Sequence, residues 1–154
     1  MADTSKFDEN FYLSENPDVL TAIENGDFAN GIEHFEMFGG RELRSPNQVF
    51  APSYYLTHNL DVAEAIENGT LNNGFEHFQI FGQKENRIPS SAFEGFDPDS
   101  YILLNTDVAS ALIEGAFTSA LDHFLTFGQF ENRPGTGIQQ KTFSLTIHQD
   151  NYAG

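Results

Sequence analysis

The chain of 154 residues contains no cysteine and no tryptophan. Without cysteine it forms no disulfide, offers no thiolate nucleophile and holds no thiolate-bound metal, and export would expose no free thiol. Basic residues are scarce too: 7 Lys and Arg stand against 23 Asp and Glu, a formal net charge of −16. That field repels phosphate backbones and anionic lipid heads, so nucleic acid and simple membrane-surface partners are excluded. Calcium ions, cationic groups and neutral glycans suit it better. No window approaches the ~18 consecutive apolar residues of a membrane span, so membrane insertion is not expected. The stretch Met1-Ala2-Asp3-Thr4-Ser5-Lys6 has neither a basic n-region nor an apolar h-region. We therefore expect no cleaved secretory signal, and read the chain as cytosolic or as exported by a route that recognises another part of the protein.

Motifs of catalysis are missing as well. The sequence has no G-x-S-x-G elbow, no P-loop, no G-x-G-x-x-G and no H-E-x-x-H pair, and we expect no enzyme. It also lacks the twelve-residue acidic loop of an EF-hand, which leaves only diffuse, weak calcium binding by an acidic surface. No cofactor is expected in this chain.

What is present is a pattern written three times. His34-Phe35-Glu36-Met37-Phe38-Gly39, followed by Glu42 and Arg44, returns as His77-Phe78-Gln79-Ile80-Phe81-Gly82 with Glu85 and Arg87. It returns again as His123-Phe124-Leu125-Thr126-Phe127-Gly128 with Glu131 and Arg133. The matched residues Tyr12, Tyr55 and Tyr101 lie 43 and then 46 positions apart, while each helix-ending Gly stands 8 positions before its His. Self-similarity at a period of about 40 residues predicts a repeat architecture, in which one unit cannot bury its apolar face alone. With 16 Phe and 39% hydrophobic residues the chain has the material for one core.

The expected fold is all-α: three tandem helical repeats of about three short helices each, forming a short α-solenoid or a compact array. An N-terminal arm covers 1–6, repeat one 7–49, repeat two 50–95 and repeat three 96–135. In the first helix Asp97 can cap, Pro98 suits the first helical position and Phe96 can staple onto Tyr101. Phe7 with Tyr12 and Phe50 with Tyr55 keep that offset. The second helix opens on an Asn cap at Asn16, Asn59 and Asn105, carries Asp18, Asp61 or Asp107 near the positive end of its dipole, and closes at Gly26, Gly69 or Gly115. The third bears an apolar stripe at helical spacing: Phe28, Ile32, Phe35 and Phe38; Leu71, Phe75, Phe78 and Phe81; Phe117, Leu121, Phe124 and Phe127. Gly31, Gly74 and Ala120 beside it would admit a close neighbour. Gly39, Gly82 and Gly128 are expected to end it in the left-handed cap. Residues 136–154 read as a linker and a β-strand-like tail, with Phe143, Leu145 and Ile147 alternating against polar residues, leading into a β-rich domain beyond this chain.

Three equivalent histidines, His34, His77 and His123, raise the question of a metal. Zinc wants three or four convergent ligands, and stacked repeats would hold these apart, so we read them as packed imidazoles bonded to a nearby carbonyl or acid. Arg44, Arg87 and Arg133 read as ion-pairing residues that fix the turn between repeats. A second reading makes them a row of guanidinium groups that could bind a glycan or another partner. Tyr12, Tyr55, Tyr101, Asp18, Asp61, Asp107, Phe35, Phe78, Phe124, Gly39, Gly82 and Gly128 read as structural residues of the repeat, because a catalytic site is normally unique.

Taken whole, Tyr55-Leu56-Thr57-His58-Asn59-Leu60-Asp61-Val62, then Gly69, then His77-Phe78-Gln79-Ile80-Phe81-Gly82 with Glu85 and Arg87, resembles a known type of repeat. It is similar to the Y-L-x-x-N-P-D-V … H-F-x-x-F-G-x-x-E-x-R units of large secreted bacterial proteins, of RTX-like and surface-layer-like kinds, from Phe7 to Arg133. Lys141-Thr142-Phe143-Ser144-Leu145-Thr146-Ile147 also resembles the strand that precedes their calcium-binding nonapeptides, which this chain does not contain. The resemblance implies an extracellular, cell-surface protein leaving a bacterium by type I secretion. It also implies a non-catalytic module that anchors the protein to the cell envelope, its polysaccharide or lipopolysaccharide. The alternatives are a self-associating module that builds a calcium-assisted lattice or sheath, and a metalloenzyme built on His34, His77 and His123.

Overall fold

The structure is a computed structural model and describes residues 6–138. Among these residues it is helical and contains no strand. The expected strand-like tail, from 139 on, and residues 1–5 of the expected arm at 1–6 lie outside the described residues.

Three blocks of chain follow one another. The first carries α1 (Glu9–Glu15), α2 (Pro17–Glu24) and α3 (Gly31–His34); the second carries α4 (Pro52–His58), α5 (Leu60–Glu67) and α6 (Gly74–His77). The third carries α7 (Pro98–Leu104), α8 (Thr106–Ile113) and α9 (Ala120–Thr126). Local sequence explains each start. Asp8 accepts from the Phe11 N–H, Asp97 accepts from the Asp99 and Ser100 N–H groups, and Pro52 and Pro98 occupy first helical positions where no N–H is needed. Asn30, Asn73 and Ser119 cap α3, α6 and α9 through the N–H of Glu33, Glu76 and Asp122. Gly26, Gly69 and Gly115 end α2, α5 and α8 at φ +85°, +79° and +77°, where only glycine is unstrained.

Packing is equally regular. Phe7, Phe50 and Phe96 lie 4.9, 4.9 and 5.4 Å, ring to ring, from Tyr12, Tyr55 and Tyr101. Phe35, Phe78 and Phe124 each meet the same tyrosine edge-on at 5.7 Å. The tyrosines are fully buried, and Val19, Val62 and Val108 close the core from the second helices. The tail of each block returns to its own first helix: Asp8, Ala51 and Asp97 donate their N–H to the carbonyls of Pro46, Pro89 and Thr136.

Three expectations need correction. Gly39, Gly82 and Gly128 do not end a helix in the left-handed region, because their φ values are not positive. In the first two blocks the helix widens into a π turn through them, at Phe35–Gly39 and Phe78–Gly82, with Gly40 N–H bonded to Phe35 O and Gln83 N–H to Phe78 O. In the third, Gly128 opens a 3₁₀ turn, Gly128–Phe130. The apolar stripe is also shorter than its spacing suggests. Phe28, Leu71 and Phe117 precede their helices, since the caps behind them hold extended backbone. Phe38 and Phe81 are about half exposed, and Phe28 packs back onto His34 and Phe38. Finally, Asn16, Asn59 and Asn105 sit at the cap position of α2, α5 and α8 but make no side-chain cap bond there. Their amides turn backwards onto the carbonyls of Tyr12, Tyr55 and Tyr101, at 2.7, 2.8 and 2.7 Å.

Candidate functional site

Each recurring polar residue has a partner inside its own block. The hydroxyls of Tyr12, Tyr55 and Tyr101 meet Nδ1 of His34, His77 and His123 at 2.9, 2.8 and 3.0 Å, and both members of each pair are buried. The tyrosine pairing replaces the expected carbonyl or acid. The phenol donates to Nδ1 or accepts from it according to which ring nitrogen of the neutral imidazole carries the proton. Burial, then the neighbouring arginine, pushes the histidine pKa values down, and burial pushes Tyr12 and Tyr101 up to about 12. Burial pushes Tyr55 up as well. Both partners are therefore held neutral around pH 7.

Glycine makes the pairing possible. A Cβ at Gly39, Gly82 or Gly128 would lie 2.0, 2.0 or 1.9 Å from the tyrosine oxygen. Gly31 and Gly74 admit the first helix of their block in the same way, with the nearest ring carbons of Tyr12 and Tyr55 at 3.1 and 3.5 Å from a Cβ placed there.

The arginines form clamps. Nε of Arg44, Arg87 and Arg133 donates to Glu42, Glu85 and Glu131 at 2.7, 2.6 and 2.6 Å. Nη1 reaches Asn16, Asn59 or Asn105, and also Asp18, Asp61 or Asp107. Arg44 and Arg87 grip their aspartate with both nitrogens. Hydrogen bonding from the guanidinium lowers the pKa of Asp18, Asp61 and Asp107, and the same bonds raise the arginines further. Among the described residues, no group of three or more His, Asp or Glu side chains is placed to hold a metal ion. No helix there is long and apolar enough to cross a membrane.

One concave feature breaks the symmetry: a cleft of about 620 Å³ between the first two blocks. Phe7, Ile32, Phe35 and Phe75 form its apolar lining. Glu36, Asn72, Asn73, Glu76, Gln79 and Lys6 supply the polar groups. Phe35 meets Phe75 edge-on at 6.0 Å across the joint. Glu76 accepts from the Asn72 N–H at 2.7 Å, and Asn73 caps α6, so two amides and a carboxylate are fixed on one wall. Sequence reasoning missed this site. Phe7 and Phe35 recur in type in every block, whereas Ile32, Glu36 and Asn72 do not, and only the joint between blocks gathers them.

Comparison of the chain with protein-family models, with curated proteins and with solved structures found no match.

Proposed function

We propose that the chain is a non-catalytic binding module: three tandem copies of one helical repeat, stacked as a short solenoid, within a large exported cell-surface protein. The module would hold that protein to the cell envelope or its polysaccharide. The observation that carries this reading is the internal use of every triplicated polar group. Tyrosine pairs with histidine, and arginine with aspartate, glutamate and asparagine of its own block. Residues so occupied build architecture, which leaves recognition to surfaces that differ between blocks. The resemblance to repeats of large secreted bacterial proteins and the net charge of −16 agree with an extracellular setting, where calcium is abundant and no phosphate backbone is sought. Type I secretion is the export route this reading carries.

Deleting residues 7–133 from the full-length protein in its host should release it from cells into the medium. Unchanged retention on the cells would reject anchoring.

A second reading, self-association into a calcium-assisted lattice, draws on one observation. Met37, Phe38, Ile80 and Phe81 sit at equivalent places and are each about half exposed, an unusual amount of apolar surface on so acidic a chain. Light scattering with and without millimolar calcium separates the two, since an anchor stays monomeric in both.

A further inference from the structure

The same joint is built twice among the described residues, once zipped by side chains and once leaving a cleft. Between the second and third blocks it is zipped by side chains. Ser119 Oγ donates to the Gln83 carbonyl at 2.6 Å, the Gln83 amide donates to Asp122 at 3.0 Å, and Leu121 N–H donates to Asn86 at 3.1 Å. Leu121 and Leu125 are wholly buried there. Between the first and second blocks the last two of these bonds cannot form, and the Asn73 side chain packs directly against Gly40. Gly40 stands where Gln83 stands and has no side chain, and Leu43 stands where Asn86 stands and offers no acceptor. Gln79, exposed, takes the place that the buried Leu125 has in the third block, and Glu36, also exposed, takes the place that Gln79 has in the second. Ile32, in the place of Phe75 and Leu121, is 39% exposed against 3% and 0%.

We propose that this cleft binds an uncharged sugar unit of a glycan chain. The proposal rests on the anchoring function given above and names its ligand class and its contact site. The volume of about 620 Å³ lies within the ~300–1,000 Å³ typical of small-molecule sites. A pyranose presents apolar C–H faces and a rim of hydroxyls. Ile32 and the edges of Phe7, Phe35 and Phe75 match the faces, while Asn72, Gln79, Glu36 and Glu76 match the rim with both donors and acceptors. Charge decides the class. Two carboxylates against one ammonium line the cleft, within a chain of net charge −16, which disfavours uronic and sialic acids. The open joint is thus a place where apolar filling has been replaced by hydroxyl-binding groups.

The test is ¹⁵N NMR titration of the full chain with maltose, cellobiose, lactose and chitobiose, beside glucuronic acid and glucosamine. The expected result is saturable shifts centred on Asn72, Asn73 and Gln79 with at least one neutral disaccharide. Gln79→Leu, which copies the closed joint, should weaken that binding at least tenfold with an unchanged melting temperature. Ile32→Phe provides a second closure by bulk alone. Absence of saturable shifts with every neutral sugar, shifts confined to the charged sugars, or binding indifferent to both closures would overturn the proposal. A pull-down on purified envelope polysaccharide separates this from the anchoring function. Capture undiminished by Gln79→Leu keeps the anchor and rejects the cleft, and no capture by either protein rejects both.

Discussion

Replacing Gly82 by alanine should destabilise the protein, although helix propensity alone predicts a gain of ~0.5–1 kcal/mol for alanine over glycine. The added Cβ would stand 2.0 Å from the Tyr55 oxygen and 3.2 Å from Phe78 Cδ2. To reach ordinary contact the hydroxyl must retreat by about 1.5 Å. Tyr55 is fully buried, so it has nowhere to go without repacking its neighbours, and its 2.8 Å bond to His77 breaks. Overpacking costs about 1–3 kcal/mol and a buried imidazole nitrogen without a partner about 1–3 kcal/mol more. Set against the propensity gain, the variant should therefore lose about 1–5 kcal/mol, or roughly 3–15 °C in melting temperature for a chain of this size. Tyr55→Phe in the parent should cost about 1–3 kcal/mol by orphaning the same nitrogen. In the Gly82→Ala background it should instead raise stability, because it removes the clashing atom and leaves only a tight contact to the ring carbon. Urea and thermal denaturation of the four proteins measure this reversal of sign. Additive effects, or a Gly82→Ala variant as stable as the parent, would refute the close-approach account of these glycines.

Other expectations follow the same geometry. Gly26→Ala, at a φ of +85° with open space around it, should cost about 1–2 kcal/mol from backbone conformation alone, and Gly26→Asn less, read by the same melts. Leu43→Asn should stabilise by about 0.5–1 kcal/mol, because Leu43 sits at φ +60° in the left-handed region that asparagine tolerates; an unchanged melting temperature would count against it. Arg87→Lys should lose most of what Arg87→Ala loses, about 0.5–1 kcal/mol given the exposure of Asp61, because an ammonium cannot grip both carboxylate oxygens. The difference should shrink in 1 M salt. Stability should also fall as pH drops below about 6.5. There the unfolded chain protonates its histidines while the buried His34, His77 and His123, with lowered pKa values, do not, so the unfolded state binds more protons. A second fall below the ordinary Asp range follows from the lowered Asp18 and Asp61. A third, as pH rises above 10, follows from tyrosines raised to about 12. Urea midpoints from pH 3 to 11 would show all three limbs.

Helix starts were legible because they are decided within a few residues. Asp97 with Pro98, the Phe-to-Tyr offset and the glycines that end α2, α5 and α8 depend only on their own turn. The arginine was legible as an ion-pairing residue, but its partners were not, since Asp18 and Asn16 lie a constant 26 and 28 positions before it. The tyrosine–histidine pair hid in the same way. Its separation of 22 positions in all three blocks is a readable signal, but neither residue names the other through any local pattern. Gly39, Gly82 and Gly128 look like caps in the sequence because glycine after a helical run usually is one. Here the reason is an oxygen arriving from another helix, which no local pattern encodes. The cleft lay further still from the sequence, since it follows from what Gly40 and Leu43 fail to do across a joint.

The return of each block's tail to its own first helix has a mechanical consequence. Asp8 to Pro46, Ala51 to Pro89 and Asp97 to Thr136 are closures within a block, whereas the first joint is crossed by the Phe35 and Phe75 rings and by Asn73 against Gly40. A steady force pulling the first block from the second would part that joint before it unravels either block. Each block would then yield as a separate event, paying out roughly 130 Å of slack for its ~40 residues. A tether made this way would absorb shear in instalments and rewind when the load is removed.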